Sequence, residues 1–247
     1  MAQSDFIFNT YQLATDFDTS GEPVYHESLT NPLQGEGTYC RYWETDSNFS
    51  LNYNTKGVFV RVAGDNITNR IVDGRRALSL RSWVRIPSGL QQFTLAGFKV
   101  KSDFSRTVGR TGNSFIGGYK LIVYQGNLYT DASAGIDEGQ QYAVSGFLAS
   151  VPVDQWFKMR MDVTPINRGG VVDRDRISYY LSDGAATGEE VWTKIGQRYV
   201  AGADLIPWDS PSFNANGFFV ADQNSGEDGH AVGAYFDRFQ IYVISRD

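Results

Sequence analysis

Hydrophobic and polar residues alternate along several short stretches of the chain, with a period of two rather than 3.6. In the stretch 77–86 the even positions are mostly apolar, whereas Arg81, Trp83 and Arg85 occupy odd positions. In 156–163 the odd positions are apolar and most of their neighbours are polar. A period of two places alternate side chains on opposite faces of a β-strand. Both stretches are therefore predicted to be strands with one buried face.

The same pattern extends over much of the chain. Further strands are predicted over 58–62, 93–100, 119–124, 177–181, 217–221 and 235–244, with a hairpin turn at 125–127. No window predicts a long amphipathic helix, and turn residues recur between the short strands. We therefore predict an all-β fold, a two-sheet antiparallel β-sandwich formed by one domain over 1–247. Its core is predicted to include Leu78, Leu80, Phe157, Met159 and Met161.

Composition agrees with this fold and excludes several classes of protein. The 26 glycines and 14% aromatic residues suit short strands joined by tight turns. A single cysteine, Cys40, excludes an intramolecular disulfide and a multi-cysteine metal cluster. The net charge of −6 does not favour nucleic acid or anionic membranes as partners, and no apolar run approaches the roughly 20 residues of a membrane span. The first residues lack the features of a secretion signal. A chain without disulfides is typical of folding in a reducing cytoplasm, although bacterial secreted lectins can also lack them.

Five segments, taken in order, resemble a known superfamily. They are an early core strand at 77–85, a central hairpin at 118–128, a strand that starts near a tryptophan at 154–161, a strand that ends in a glycine turn at 177–184, and a closing strand at 234–242. This order resembles the concanavalin A-like lectin/glucanase superfamily, especially its laminin G-like branch. The resemblance implies a jelly roll. It does not imply one function, because the superfamily contains lectins, glycosidases, lyases and viral structural proteins.

The catalytic motifs of that superfamily are missing from the sequence. Its glycosidases carry carboxylates spaced as Glu-x-Asp-x-x-Glu, whereas Asp137 and Glu138 stand side by side in a glycine-rich stretch. The segment 112–117 misses the spacing of a serine nucleophile elbow by one residue. We therefore expect no enzymatic activity. A more distant alternative is a jelly-roll polysaccharide lyase, for which Tyr180 or His230 would supply the base and Arg81 or Arg160 would neutralise a uronate.

Calcium is the one cofactor whose ligand spacing has a match in the sequence. Asp16, Asp18, Ser20 and Glu27 occupy the first, third, fifth and twelfth positions of an EF-hand loop, with glycine at the sixth. Proline at the eighth position and the absence of predicted flanking helices depart from that motif. The alternative interpretation is an ordinary turn, so no cofactor is certain and calcium remains one hypothesis.

A binding surface is predicted on the polar face of the strand 77–86. Arg81, Trp83 and Arg85 would form a ladder with an aromatic ring between two cations. The alternative interpretation is a packed second layer in which Trp83 is buried and the arginines extend along it. Loops at 102–118, 131–141, 165–175 and 214–233 are also predicted, and two of them add contacts through Arg106, Arg110 and His230.

Three functions compete at this stage. The first is a non-enzymatic structural or docking subunit that acts through protein contacts, most naturally an oligomeric component of a phage virion assembled in the host cytoplasm. Jelly-roll proteins of that kind decorate capsids or form modules of tails and fibre bases. The second is a lectin-like carbohydrate-binding module that holds glycans. The third is the polysaccharide lyase.

Overall fold

The computed structural model describes residues 6–15, 26–28, 39–44, 56–61, 76–89, 92–101, 118–133, 146–168, 171–182, 191–208, 210, 213–222 and 233–246. These residues form fourteen strands and a single 3-10 turn at Gly202–Asp204, and no α-helix occurs among them. The fold of this part is therefore all β.

Eight strands form one sheet and six form the other. The eight are β1 (Phe6–Thr15), β2 (His26–Ser28), β3 (Tyr39–Glu44), β5 (Arg76–Arg85), β10 (Trp156–Arg168), β11 (Val171–Ser182), β12 (Thr193–Ala201) and β14 (Gly233–Arg246). The six are β4 (Lys56–Arg61), β6 (Gln92–Lys101), β7 (Gly118–Tyr124), β8 (Asn127–Ser133), β9 (Phe147–Ser150) and β13 (Phe213–Asp222).

Every pairing of these strands is antiparallel, and the strand order differs strongly from the chain order. The larger sheet runs β12-β11-β10-β5-β14-β3-β2, with β1 also paired to β14, and the smaller runs β4-β13-β6-β7-β8-β9. The chain crosses between the sheets at β3 to β6, β9 to β10 and β12 to β14, whereas β6 to β9 and β10 to β12 each follow one another within a sheet. The predicted two-sheet antiparallel β-sandwich is confirmed.

The core lies between the two sheets and follows the predicted alternation. Leu78 and Leu80 of β5 are buried, as are Phe157, Met159 and Met161 of β10. They meet apolar side chains of the smaller sheet, including Phe98, Leu121, Val123 and Phe218. The five predicted core residues are therefore confirmed.

The turns and loops of the structure agree with the sequence prediction in one case and differ from it in another. The predicted hairpin between β7 and β8 is observed, but its turn has two residues, Gln125 and Gly126, with φ of 50° and 73°, and Asn127 of the predicted turn 125–127 already belongs to β8. By contrast, the loop predicted over 165–175 is wrong, because β10 and β11 pair through most of it. Pro165 is tolerated there because β10 no longer pairs with β5 beyond Val163, so its missing N–H breaks no bond on that edge.

Helices of membrane-spanning length and hydropathy are absent from the described part of the chain.

Candidate functional site

The outer face of the larger sheet carries a row of polar and charged side chains at one level. Register places Gln240 of β14 opposite Arg81 of β5, and Arg81 opposite Arg160 of β10. The row continues to Tyr180 of β11 and Lys194 of β12. Neighbouring strands lie about 4.8 Å apart, so five strands make the row about 19 Å long. The row therefore crosses five adjacent strands, and Arg81 and Arg160 at its centre are buried.

Arg81 and Arg160 face each other although like charges opposite one another destabilise a sheet. Arg160 is compensated by Asp162, two residues along the same strand, through bonds of 2.6–3.0 Å from Nε and Nη2 to both carboxylate oxygens. Burial disfavours the charged guanidinium, but attraction and hydrogen bonding to Asp162 outweigh it and the pKa of Arg160 is raised. Arg160 therefore remains charged within the sheet face.

Aromatic rings lie beside three cations of this face. The Arg81 guanidinium lies 5.4 Å from the centre of the Trp192 ring, and that of Arg160 lies 4.9 Å from the centre of Tyr180. Lys158 Nζ lies 5.7 Å from both Trp83 and Trp192. These distances are within the range of cation–π attraction. The rings therefore help to hold these three cations in place.

The pKa values of Tyr180 and Lys194 are shifted by their surroundings on this face. Burial, followed by the nearby Asp162 charge, raises the pKa of Tyr180, so its hydroxyl stays protonated at neutral pH. Partial burial, followed by repulsion from Arg176, lowers the pKa of Lys194. Tyr180 is therefore suited to donate a hydrogen bond to an acceptor and poorly suited to remove a proton.

The local charge balance is opposite to that of the whole chain, which carries −6. Cations outnumber carboxylates among the described side chains of this part of the face: Arg81, Lys158, Arg160, Arg176 and Lys194 against Asp162 and Asp237. We call this set, together with Trp83, Tyr180 and Trp192, the cationic-aromatic face. Its local excess of positive charge contrasts with the acidic charge of the whole chain.

The predicted ladder of Arg81, Trp83 and Arg85 lies on this outer face, but its members differ in exposure. Arg81 is 4% exposed and Trp83 is 6% exposed, which corresponds to the packed second layer considered above. Arg85 is half-buried, stacks 5.2 Å from the Tyr235 ring and donates from Nε to the Asp154 carbonyl. Its main contacts therefore hold the turn after β9, and the binding role of the ladder stays a prediction.

Other predicted site residues lie outside the described residues. These are Arg106, Arg110 and His230 of the binding surface and Asp16, Asp18 and Ser20 of the calcium hypothesis; Glu27 falls on β2, whose side chains are also outside the described part. Among the residues that the structure does describe, no group of three or more His, Cys, Asp or Glu side chains could hold a metal ion.

Sequence reasoning did not identify Trp192, Lys158 or Lys194 as site residues. Trp192 directly precedes β12, a strand whose residues 193–201 show weak alternation because most of them are exposed or half-buried. Lys158 carried a usable signal, since it alternates with the core residues of β10 and shares the face of Arg160. The pairing of Tyr180 with Lys194 depends on register, which a single sequence does not contain.

Comparison with known proteins finds structural similarity without sequence similarity. No family model matches the chain, and no curated protein matches it. Alginate lyase vAL-1 from Chlorella virus superposes with a TM-score of 0.40 at 13% identity, covering 88% of each chain. A PL-14 alginate lyase from Aplysia kurodai gives a TM-score of 0.44 at 14% identity, covering 95% of this chain and 90% of that one.

A carbohydrate esterase from Shiga toxin-encoding bacteriophage phi24B gives a TM-score of 0.44 at 12% identity, over 90% of this chain and 88% of the other. At these identities and scores no activity is transferred from any of these proteins. The function has to be argued from the side chains of this chain.

Proposed function

We propose that this protein is a non-enzymatic binding module that holds an acidic glycan on its cationic-aromatic face. The observation that carries the proposal is the row of Arg81, Arg160, Tyr180 and Lys194 across four adjacent strands, with Trp192 stacked beside it. Lysine and arginine recognise carboxylate or sulfate groups, and aromatic rings pack against the apolar faces of sugar rings.

The absence of catalysis is part of the proposal and has two supports. A lyase would need a base near the substrate, but the raised pKa of Tyr180 keeps that phenol protonated. Asp162, the nearest described carboxylate, is held by two nitrogens of Arg160. A protonated Tyr180 and an Asp162 carboxylate that is already bonded to Arg160 are poorly suited to proton transfer, and they are compatible with a binding role.

The ligand would be drawn in by charge and oriented by the rings. Lys158 and Trp192 are the most informative positions, because both are only partly buried and lie within 5.7 Å of each other. Their substitution removes one charge or one ring with less risk to folding than a change at the buried Arg81. We therefore choose Lys158→Gln and Trp192→Ala as test variants.

The test measures binding of an oligouronate by calorimetry, with a neutral oligosaccharide of equal length for comparison. We expect the oligouronate to bind, the neutral sugar to bind much more weakly, and each variant to lose about tenfold in affinity, equivalent to about 1.4 kcal/mol. Added salt should weaken binding, because partly exposed charges are screened.

Arg174→Gln is the matched control, since it removes one charge from β11 about 20 Å along the strand from Tyr180. It should bind as the unaltered protein does. Equal affinity for neutral and acidic sugars would show that the ligand class is wrong. Release of an unsaturated uronate, seen by ultraviolet absorbance, would show that the protein is an enzyme.

The virion docking role expected from the sequence gives a different result in the same samples. A docking subunit would form a stable complex with particles or with itself, seen by mass photometry, and would bind neither sugar. That result would replace the glycan proposal with the docking role. Until such a measurement, the virion location and the superfamily assignment stay predictions.

A further inference from the structure

A second cluster of ionisable groups lies inside the sandwich, away from the cationic-aromatic face. Lys99 of β6 and Asp175 of β11 belong to opposite sheets and meet in the space between them. Their Nζ and Oδ2 atoms are 2.5 Å apart, and the side chains are 3% and 0% exposed. An amine and a carboxylate are therefore in contact where water has almost no access.

Each atom of this pair is fixed by a further bond. Lys99 Nζ also donates to the Ile206 carbonyl at 2.5 Å. Tyr119 donates its hydroxyl to Asp175 Oδ2 at 2.9 Å, and Trp208 Nε1 donates to Oδ1 at 2.9 Å. The Trp208 ring covers the ammonium group, with its centre 4.1 Å from Nζ. The two reacting groups thus have a single arrangement relative to each other.

The backbone at Lys99 is held in an unfavourable conformation that keeps the Lys99 and Asp175 side chains in contact. Lys99 has φ of +50°, a left-handed conformation that is unfavourable for a lysine. Its N–H is held there by the Asn216 side-chain oxygen at 3.0 Å. Groups that are held in contact before a reaction gain a large advantage over free groups in solution.

We propose that Lys99 and Asp175 condense to form an intramolecular isopeptide bond between the two sheets. The ammonium group first passes one proton to Oδ2 of Asp175 across their 2.5 Å contact, and the neutral Nζ then attacks Cγ, so that an N–Cγ bond forms and the Cγ–Oδ2 bond breaks. Two protons of the ammonium group leave with Oδ2 as water, and the third remains on the amide nitrogen. The ion pair is converted to an amide and one water, so atoms and charge balance without another reactant.

The neighbouring residues suit the steps of that reaction. Trp208 Nε1–H points at Oδ1, where negative charge develops in the tetrahedral intermediate. The Tyr119 hydroxyl points at Oδ2, the oxygen that leaves. The remaining amide N–H keeps the Ile206 carbonyl as its acceptor. Loss of both charges also removes the penalty of holding two ions in a dry interior.

The test is the mass of the full chain, measured under denaturing conditions and corrected for N-terminal processing. We expect a mass about 18 Da below that of the sequence, the mass of one water. Tryptic mapping should place the loss in a branched peptide that joins the segment around Lys99 to the segment around Asp175. Trypsin should also fail to cleave after Lys99, because an amide-linked lysine is not a substrate.

Two comparisons make the result specific. Lys99→Arg keeps the charge but lacks a nucleophilic amine, so its mass should equal that of its sequence. Lys120 and Asp131 form a second ion pair at 2.9 Å, but the carboxylate is 20% exposed, and no link is expected there. An unmodified mass for the unaltered chain, or a loss mapped to another position, would overturn the proposal whether or not the variant folds.

Discussion

Arg160 and Asp162 stand two positions apart on β10 and therefore share one face of the larger sheet. Because each neutralises the other, the buried cation of this pair costs less than an isolated one would. In the proposed glycan complex, attraction for the ligand would come more from Lys158 and Lys194, which are less buried. Within the cationic-aromatic face, Arg160 thus supports the packing of the sheet, and the two lysines are the cations that we propose to contact the glycan.

Ionisation of a second residue, Asp154, affects the stability of the turn in which it lies. It has φ of +56° and accepts a hydrogen bond from the Ser88 N–H at 3.0 Å, while its own N–H donates to the Ile86 carbonyl. Hydrogen bonds from the Ser88 hydroxyl and backbone N–H lower the pKa of Asp154. A carboxyl with a lowered folded-state pKa stabilises the fold above its unfolded pKa, and the contribution is lost as pH falls through the folded value.

We expect Asp154→Asn to reduce the urea midpoint at pH 7, and the difference should shrink as pH falls below the ordinary aspartate pKa of about 3.9 and through the lower folded-state pKa. Asparagine tolerates the same left-handed backbone, so the comparison isolates the charge. The measurement is the urea midpoint of both proteins across that pH range. Equal differences at both ends of the range would mean that the ionised carboxyl contributes nothing.

At the scale of elements, β9 is attached to the smaller sheet through a glycine that has no room for a side chain. Gly146 has φ of +79°, and a Cβ there would lie 2.8 Å from Thr130 Cγ2 and 3.1 Å from the Thr130 carbonyl oxygen. The Thr130 N–H bonds to the Gly146 carbonyl at this point. A larger residue would therefore have to separate β8 from β9.

We expect Gly146→Ala to lower the free energy of unfolding by about 2–3 kcal/mol, because strain at positive φ adds to the steric clash. Gly202→Ala is the matched control: φ is +65° there, but nothing lies within 4 Å of the added Cβ. The Gly202→Ala substitution should lower the free energy of unfolding only through backbone strain at positive φ, by about 1 kcal/mol. Equal losses in chemical denaturation would show that contact with Thr130 is unimportant.

Prediction from the sequence succeeded for elements with two distinct faces and failed for those without. β5 and β10 alternate cleanly because each has the core on one side. β5 was predicted to within one residue of its observed bounds, whereas β10 was predicted from its correct first residue but extends five residues beyond the predicted end. β12 was missed because it is an edge strand whose side chains are mostly exposed or half-buried on both faces. β9 has four residues, too few to show a period.

At the scale of the molecule, aromatic packing joins the two sheets. Phe218 of the smaller sheet and Phe236 of the larger are buried, with ring centres 6.0 Å apart and planes at 62°. Edge-to-face contacts of this kind add to the free energy of burial. Because the Phe218 and Phe236 rings join the two sheets, removing one ring should destabilise both sheets.

We expect Phe236→Ala to cost about 3–5 kcal/mol, while Val191→Ala at a position that is 68% exposed should stay within about 0.5 kcal/mol. Far-ultraviolet circular dichroism and tryptophan fluorescence should report the same urea midpoint for each protein, because the sheets share one core. Separate midpoints would mean that the sheets unfold independently.

The candidate site was only partly predictable because the register of strand pairing decides which side chains become neighbours. Arg81 and Trp83 were identified on one strand from their spacing, but Trp192 and Lys194 join them across strands that lie more than a hundred residues further along the chain. The same holds for Lys99 and Asp175, which are 76 residues apart. Alternation shows which face a side chain takes, and pairing decides its neighbours.

The position of β14 determines when the larger sheet is completed during synthesis. It follows every other described strand in the chain, yet it pairs with β5 on one edge and with β3 and β1 on the other. The hairpins β6 to β9 can form as they leave the ribosome, because they pair with sequence neighbours. β1 must wait for more than two hundred residues, since Phe6 pairs with Arg246. Nascent chains that stop before β14 therefore expose the unpaired edges of β1, β3 and β5, and their safe folding depends on rapid completion of translation.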